Sequence, residues 1–84
     1  MKKIYENELF KIMDTKQDYD FKYVIENKTD KKLNLYLNGL DDYLELDEND
    51  WVGLFYGDYS NDIVRCLINN DYNYNCVYET DSEV

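Results

Sequence analysis

The chain of 84 residues has no histidine, no proline, two cysteines, three glycines and one tryptophan. Each shortage removes something. Without His there is no ordinary Ser–His or Cys–His pair to activate a nucleophile. Paired carboxylates could do acid–base work only with one buried, raised-pKa member in a cleft, which so short a chain rarely builds. Cys66 and Cys76 have no CxxC spacing and no His beside them. They form neither a disulfide framework nor a zinc site, and read as reduced, partly buried thiols, a single bridge between them being the alternative. No enzyme activity and no cofactor or metal is expected.

Long apolar runs are missing too. Nothing approaches the roughly 18–20 residues of a membrane span. Lys2 and Lys3 could open a signal peptide, but Glu6 and Glu8 follow and no apolar stretch develops. The expected place is the cytoplasm of a bacterial cell. The missing proline, with abundant Asn, Asp, Lys, Ile and Tyr, is what AT-rich codons produce, and suggests a low-GC bacterium or its phage.

Positive charge is the most telling shortage. Residues 1–32 hold eight of the nine basic residues and seven acids, net +1; residues 33–84 hold only Arg65 against twelve acids, net −11. The total of −10 excludes general affinity for nucleic acid or an anionic membrane, because both reward positive charge. It favours a basic protein partner.

Apolar residues make up 44%, enough for one small core in a single domain, residues 1–84. Tyr supplies ten of the aromatics and suits a half-buried boundary layer. The spacing of Tyr5, Leu9, Ile12 and Met13 fits an amphipathic helix over 4–13, a short strand being the other reading. Tyr19, Phe21, Tyr23 and Ile25 alternate with polar residues and Val24, as Leu33, Leu35 and Leu37 do with Asn34, Tyr36 and Asn38. With the polar link Asn27–Asp30 between them, they predict a β-hairpin, 19–26 with 32–38.

Asn38-Gly39 marks the next reversal, Gly39 supplying positive φ. Tyr43–Leu46 should return as a third strand. Asp47 reads as a helix N-cap, with Trp51, Leu54 and Phe55 on one side of a short helical turn that Gly57 ends. Asp58 or Ser60 should cap a helix with the stripe Ile63, Val64, Leu67 and Ile68, stopped at Asn69–Asp71. Alternation from Tyr72 to Tyr78 gives a last strand, and 80–84 reads as a frayed acidic tail. The expected fold is α+β: a small antiparallel sheet of three to five strands with one or two short helices packed on it.

The candidate site is Asp41–Asp50, DDYLELDEND, and the aromatics after it. Six of these ten residues are carboxylates: Asp41, Asp42, Glu45, Asp47, Glu48 and Asp50. In a strand, carboxylates two residues apart lie roughly 6.7 Å apart on one face. That is similar to the spacing of phosphates along a nucleic-acid strand, so the array suits a basic groove that tracks a phosphate backbone. Asp41, Tyr43, Glu45 and Asp47 would share one face; Asp42, Leu44 and Leu46 the other. No Lys or Arg occurs between Lys32 and Arg65 to relieve the repulsion. Trp51 and Phe55 border the array and could anchor a partner, although a lone Trp in so short a chain is more often core. The bland reading of the acids is a solvated face.

Calcium fits poorly. An EF-hand loop needs Gly at its sixth position and Glu at its twelfth; a loop begun at Asp58 has Ile63 and Asn69 there. A loop begun at Asp47 has Trp51 at a ligand position. Asn27-Lys28-Thr29 matches a glycosylation sequon, without meaning in a bacterial cytosol. Arg65 should pair with Asp62 or Asp58, and Lys28, Lys31 and Lys32 sit in an exposed loop.

In size, acidity, lack of catalytic residues and the Asp41–Asp50 run, the chain resembles a class: small acidic phage-encoded inhibitors, the anti-CRISPR and DNA-mimic proteins. No aligned motif carries the resemblance, and no family's functional residues map onto it. It implies stoichiometric inhibition of a nuclease or CRISPR effector complex, with no direct nucleic-acid binding. An immunity protein or antitoxin facing a basic toxin is the alternative, as is an interaction module of a phage or bacterial assembly.

Overall fold

A computed structural model describes residues 1–17 and 19–77. Seven strands and one helix run in the order β1 (Lys2–Glu6), β2 (Phe10–Asp14), β3 (Phe21–Asn27), β4 (Lys32–Leu37), β5 (Asp42–Leu46), β6 (Trp51–Phe55), α1 (Asp58–Ile68) and β7 (Tyr72–Val77). The class is α+β. The strands form two antiparallel sheets, β1-β2-β3-β6 and β5-β4-β7. Position 78 and the 80–84 tail lie outside the described residues.

The centre is one long hairpin, residues 21–55, bent at its middle. Its near half pairs β3 with β6, for example Val24 with Gly53; its far half pairs β4 with β5, from Leu33–Leu46 to Leu37–Asp42. The hairpin expected between 19–26 and 32–38 is therefore not formed, because β3 and β4 lie in different sheets. Its supposed turn is a corner where both arms cross from one sheet to the other. Asn27 closes that corner. Its buried amide donates to the carbonyls of Lys31 (2.8 Å), Leu46 (3.2 Å) and Asp47 (3.0 Å), and its Oδ1 accepts the Thr29 N–H and hydroxyl. The Asn27 N–H donates to Asp50 O and the Asn49 N–H to Thr29 O, tying the two crossings together.

The tip of the hairpin is 38–41, as the Asn38-Gly39 signal indicates. The left-handed residue there is Asp41 (φ 51°), not Gly39. A carboxylate-bearing residue tolerates that conformation. Gly39 serves close approach instead, since a Cβ would sit 3.2 Å from Asp71 Oδ2.

Residues 4–13 belong to two strands and the turn at 7–9 between them, not to a helix. Asn7 Oδ1 accepts the N–H groups of Leu9 and Phe10, which reverses the chain between β1 and β2. The expected helical turn at Trp51–Phe55 is strand β6, and Asp47 caps nothing. Residues 47–50 form a turn closed by Asp50 N–H to Asp47 O (3.1 Å), with Asn49 at φ 55°. Pairing with β3 outweighs the local helix signal.

The expected helix is present as α1. Neither Asp58 nor Ser60 caps it; Gly57 precedes it, and the Ser60 hydroxyl donates to the Phe55 carbonyl. It ends as a Schellman motif, with Asn70 left-handed (φ 63°), Asn70 N–H to Leu67 O and Asp71 N–H to Cys66 O. Ile63, Val64 and Leu67 are buried as the stripe predicts, with Cys66 rather than Ile68 completing it. They meet Phe10, Ile12, Ile25, Leu33, Leu35, Leu37, Leu46 and Leu54, the inner faces of both sheets. No helix of the described residues is long and apolar enough to cross a membrane.

Candidate functional site: an acidic edge and an aromatic face

The six carboxylates fall along one continuous border of the molecule. β5 is an edge strand, paired with β4 alone. Leu44 and Leu46 point inward, Tyr43 and Glu45 outward, as strand alternation requires. Asp41 and Asp42 stand at the hairpin tip; Asp47, Glu48 and Asp50 occupy the corner turn. From Asp41 to Asp47 the border runs about 20 Å at strand rise.

Two of the six are held by side chains from elsewhere in the fold, and Asp50 accepts the N–H of its neighbour Trp51. Glu45 Oε2 lies 3.0 Å from Lys32 Nζ, so a cation remote in sequence relieves part of the run. Asp42 accepts the Tyr59 hydroxyl from α1 and the Tyr43 N–H. The Tyr59 bond first, then the Tyr43 N–H, hold the Asp42 carboxyl below the usual carboxylate range, and Asp42 in turn raises the Tyr59 phenol. Asp41, Asp47, Glu48 and Asp50 are exposed. Among the described residues, none of these four joins an ion pair.

Trp51 and Phe55 lie on the other sheet. Trp51 is 51% exposed and Phe55 68%, so the lone tryptophan is not core. Both project from the outer face of β6, where Trp51 pairs with Glu26 and Phe55 with Phe21. The Phe21 ring packs edge-on against Trp51 (centroids 5.8 Å) and tilted against Phe55 (5.4 Å). Gly53 makes this possible, because a Cβ there would sit 2.4 Å from Phe21 Cγ. Beside the cluster lies an open groove of about 340 Å³, walled by Met13, Tyr19, Phe21, Val24 and Trp51. The acids and the aromatics thus occupy different sheets and meet only at the corner, where Asp50 Oδ1 accepts the Trp51 N–H.

No family model matches the chain, and no curated protein or solved structure does.

The groove residues Met13, Tyr19, Phe21 and Val24 were not among the candidates drawn from sequence. One signal pointed to them: Trp51, Gly53 and Phe55 alternate, and a glycine between two large aromatics marks close approach of another side chain. A second depression, about 880 Å³, lies between the β1–β2 turn and Tyr74. There Glu6 binds Lys28 (2.7 Å) and Lys3 (2.6 Å), and these two, Lys28 foremost, hold its carboxyl down to about 2. Glu8, also on the wall of this depression, is in none of these pairs.

Among the described residues no three His, Cys, Asp or Glu side chains converge to hold a metal ion, and Cys66 and Cys76 are free thiols. The Cys66 thiol donates to Asp71 Oδ2 at 3.8 Å, apart from the candidate arrangement. What that arrangement offers is fixed negative charge beside exposed aromatic surface.

Proposed function

We propose that this chain is a stoichiometric protein inhibitor of a nucleic-acid-handling enzyme, of the anti-CRISPR or DNA-mimic kind, acting in the cytoplasm of a bacterial host. Its acidic border enters the basic groove of a nuclease or CRISPR effector complex and takes the place of a phosphate backbone. One observation carries this reading. Asp41, Asp47, Glu48 and Asp50 are held at the two ends of an edge strand without an ion-pairing cation among the described residues. Their mutual repulsion destabilises the folded chain, and a partner's Lys and Arg side chains offset it. The rigid corner built by Asn27 keeps the corner acids in place, so little ordering entropy is lost on binding. The long-range field of a chain at −10 speeds encounter with a basic surface.

The test is a charge reversal of the corner, Asp47→Lys, Glu48→Lys and Asp50→Lys together. All three side chains are exposed, so the fold and its melting temperature should survive. Capture of the target nuclease should fall by at least about a hundredfold, since close charge pairs across such interfaces couple by several kcal/mol. Capture and inhibition equal to the parent's would sink the proposal.

A further inference from the structure

Among the described residues four strands lie at sheet edges: β1 and β6 in one sheet, β5 and β7 in the other. An open edge invites another strand, and folded proteins guard it with charge, proline or bulges. β1 (KKIYE) has two lysines, a glutamate and a register shift; β5 (DYLEL) has Asp42 and Glu45; β7 (YNYNCV) alternates asparagine with its apolar residues. β6 reads WVGLF and is the least guarded: it has no charge or proline of its own, although Asp50 Oδ1 takes the Trp51 N–H and the register against β3 shifts at its Phe55 end. Its outer row is the exposed pair Trp51 and Phe55, and the groove lies on the inner side of that row, over β2 and β3.

We infer that β6 is a docking edge for a short extended segment of a basic partner, which adds to the four-stranded sheet as a fifth strand. Backbone pairing with residues 51–55 supplies affinity, and alternate apolar side chains of the segment lie over Trp51 and Phe55. The occupant's charge follows from what brackets the edge: Asp47, Glu48 and Asp50 before it, Asp58 after it. Within the groove, Glu26 is already matched by Lys11 at 3.0 Å. A second copy of this chain would set like acids against these and add another −10 to the assembly. A segment with an apolar middle and basic ends meets both features. The inference rests on the proposed function in one respect only, the positive charge of the partner.

Trp51 is the sole tryptophan and so reports on its own site. Two capped peptides of equal charge, KKVTVTVKK and KKGSGSGKK, are titrated into the parent, into Phe55→Asp and into the corner charge reversal Asp47→Lys, Glu48→Lys, Asp50→Lys. The first peptide should move Trp51 emission to shorter wavelength and bind at least about tenfold tighter than the second, an effect typical of losing one aromatic or aliphatic anchor. Phe55→Asp should weaken it by a similar factor although it makes the surface more negative.

Equal binding of the two peptides, unchanged Trp51 emission, or undiminished binding to Phe55→Asp would mean that charge alone acts; the docking edge then falls while the acidic border stands. Binding that needs Phe55 but ignores the corner charge reversal keeps an apolar edge and overturns the assigned basic occupant, while the proposed function is judged by its own capture test. Absence of binding by either peptide at about 1 mM, the floor of specific recognition, overturns the docking edge. So does dimerisation of the chain alone that Phe55→Asp abolishes, since the occupant is then a second copy.

Discussion

Replacing Asn27 by Ala should unlock the corner on which the bent hairpin depends. Asn27 is 4% exposed; its two amide hydrogens are shared among three carbonyls of both arms, and its Oδ1 accepts twice from Thr29, so the amide makes at most four hydrogen bonds. A typical bond contributes about 1 kcal/mol net, so four set an upper range near ~4 kcal/mol. The Thr29 groups and the Asp47 carbonyl lie near the surface and can turn to water, whereas the bond to Leu46 O is buried. The expected loss is therefore about 3 kcal/mol, a large share of the ~5–15 kcal/mol that holds a small domain together.

Urea unfolding followed by circular dichroism and Trp51 emission measures it. With a slope of about 1 kcal/mol/M for a domain this small, the midpoint should drop by roughly 2–3 M. Asn27→Asp sharpens the test, since it keeps the acceptor for Thr29 but turns a carboxylate toward three carbonyls. That raises the folded-state pKa of the new acid, so stability is best below its unfolded pKa and is lost as pH rises through the folded value. Near neutral pH, Asn27→Asp should be at least as harmful as Asn27→Ala. A cost below about 1 kcal/mol for Ala, or an Asp tolerated as well as Asn, would refute the corner's role.

Three further outcomes follow from the packing and the charges. Gly53→Ala places a Cβ 2.4 Å from Phe21 Cγ and should cost roughly 1–3 kcal/mol, with Phe21→Ala in the same chain recovering part of it; strictly additive losses in a double-mutant cycle would contradict the contact. Glu6 titrates at about 2 instead of 4.5, so its contribution to stability is complete above pH 4.5 and drains away as pH falls toward 2. Glu6→Gln should flatten stability against pH across that window, and an unchanged profile would count against the Lys28–Glu6–Lys3 cluster. Tyr59→Phe should let the Asp42 carboxyl rise toward its ordinary range in an NMR titration, whereas a carboxyl that stays low would mean the Tyr43 N–H suffices.

Local pattern revealed most strands and hid their partners. Leu33–Leu35–Leu37, Tyr43–Leu46 and the Ile63–Leu67 stripe each announce an element, because side-chain period depends only on neighbours in sequence. Pairing depends on residues far apart. Both 27–31 and 38–41 carry turn chemistry, and nothing local says that Asn27 reaches the carbonyls of Leu46 and Asp47 to make one a corner and the other a tip. At 4–13, Leu9, Ile12 and Met13 keep a helical spacing while Phe10 and Ile12 keep a strand's, and the Asn7 side chain decides for the strands. At 47–55, Asp47 and Glu48 imitate a helix start. The acids of the candidate site were visible in the sequence, but its division between two sheets was not, because that follows from the corner.

Affinity capture from a bacterial lysate tests the central claim most directly, with the tagged chain run at about 50 mM and about 300 mM salt, a range over which screening of exposed charge changes strongly. Each arm is repeated with competing DNA. The account predicts recovery of a nuclease or guide-bound effector that is lost at the higher salt and displaced by DNA. Recovery of one small basic toxin indifferent to DNA would move the chain to the immunity class. Salt-resistant recovery of a structural protein, or of nothing, would contradict the account and leave the acidic border a solvated surface.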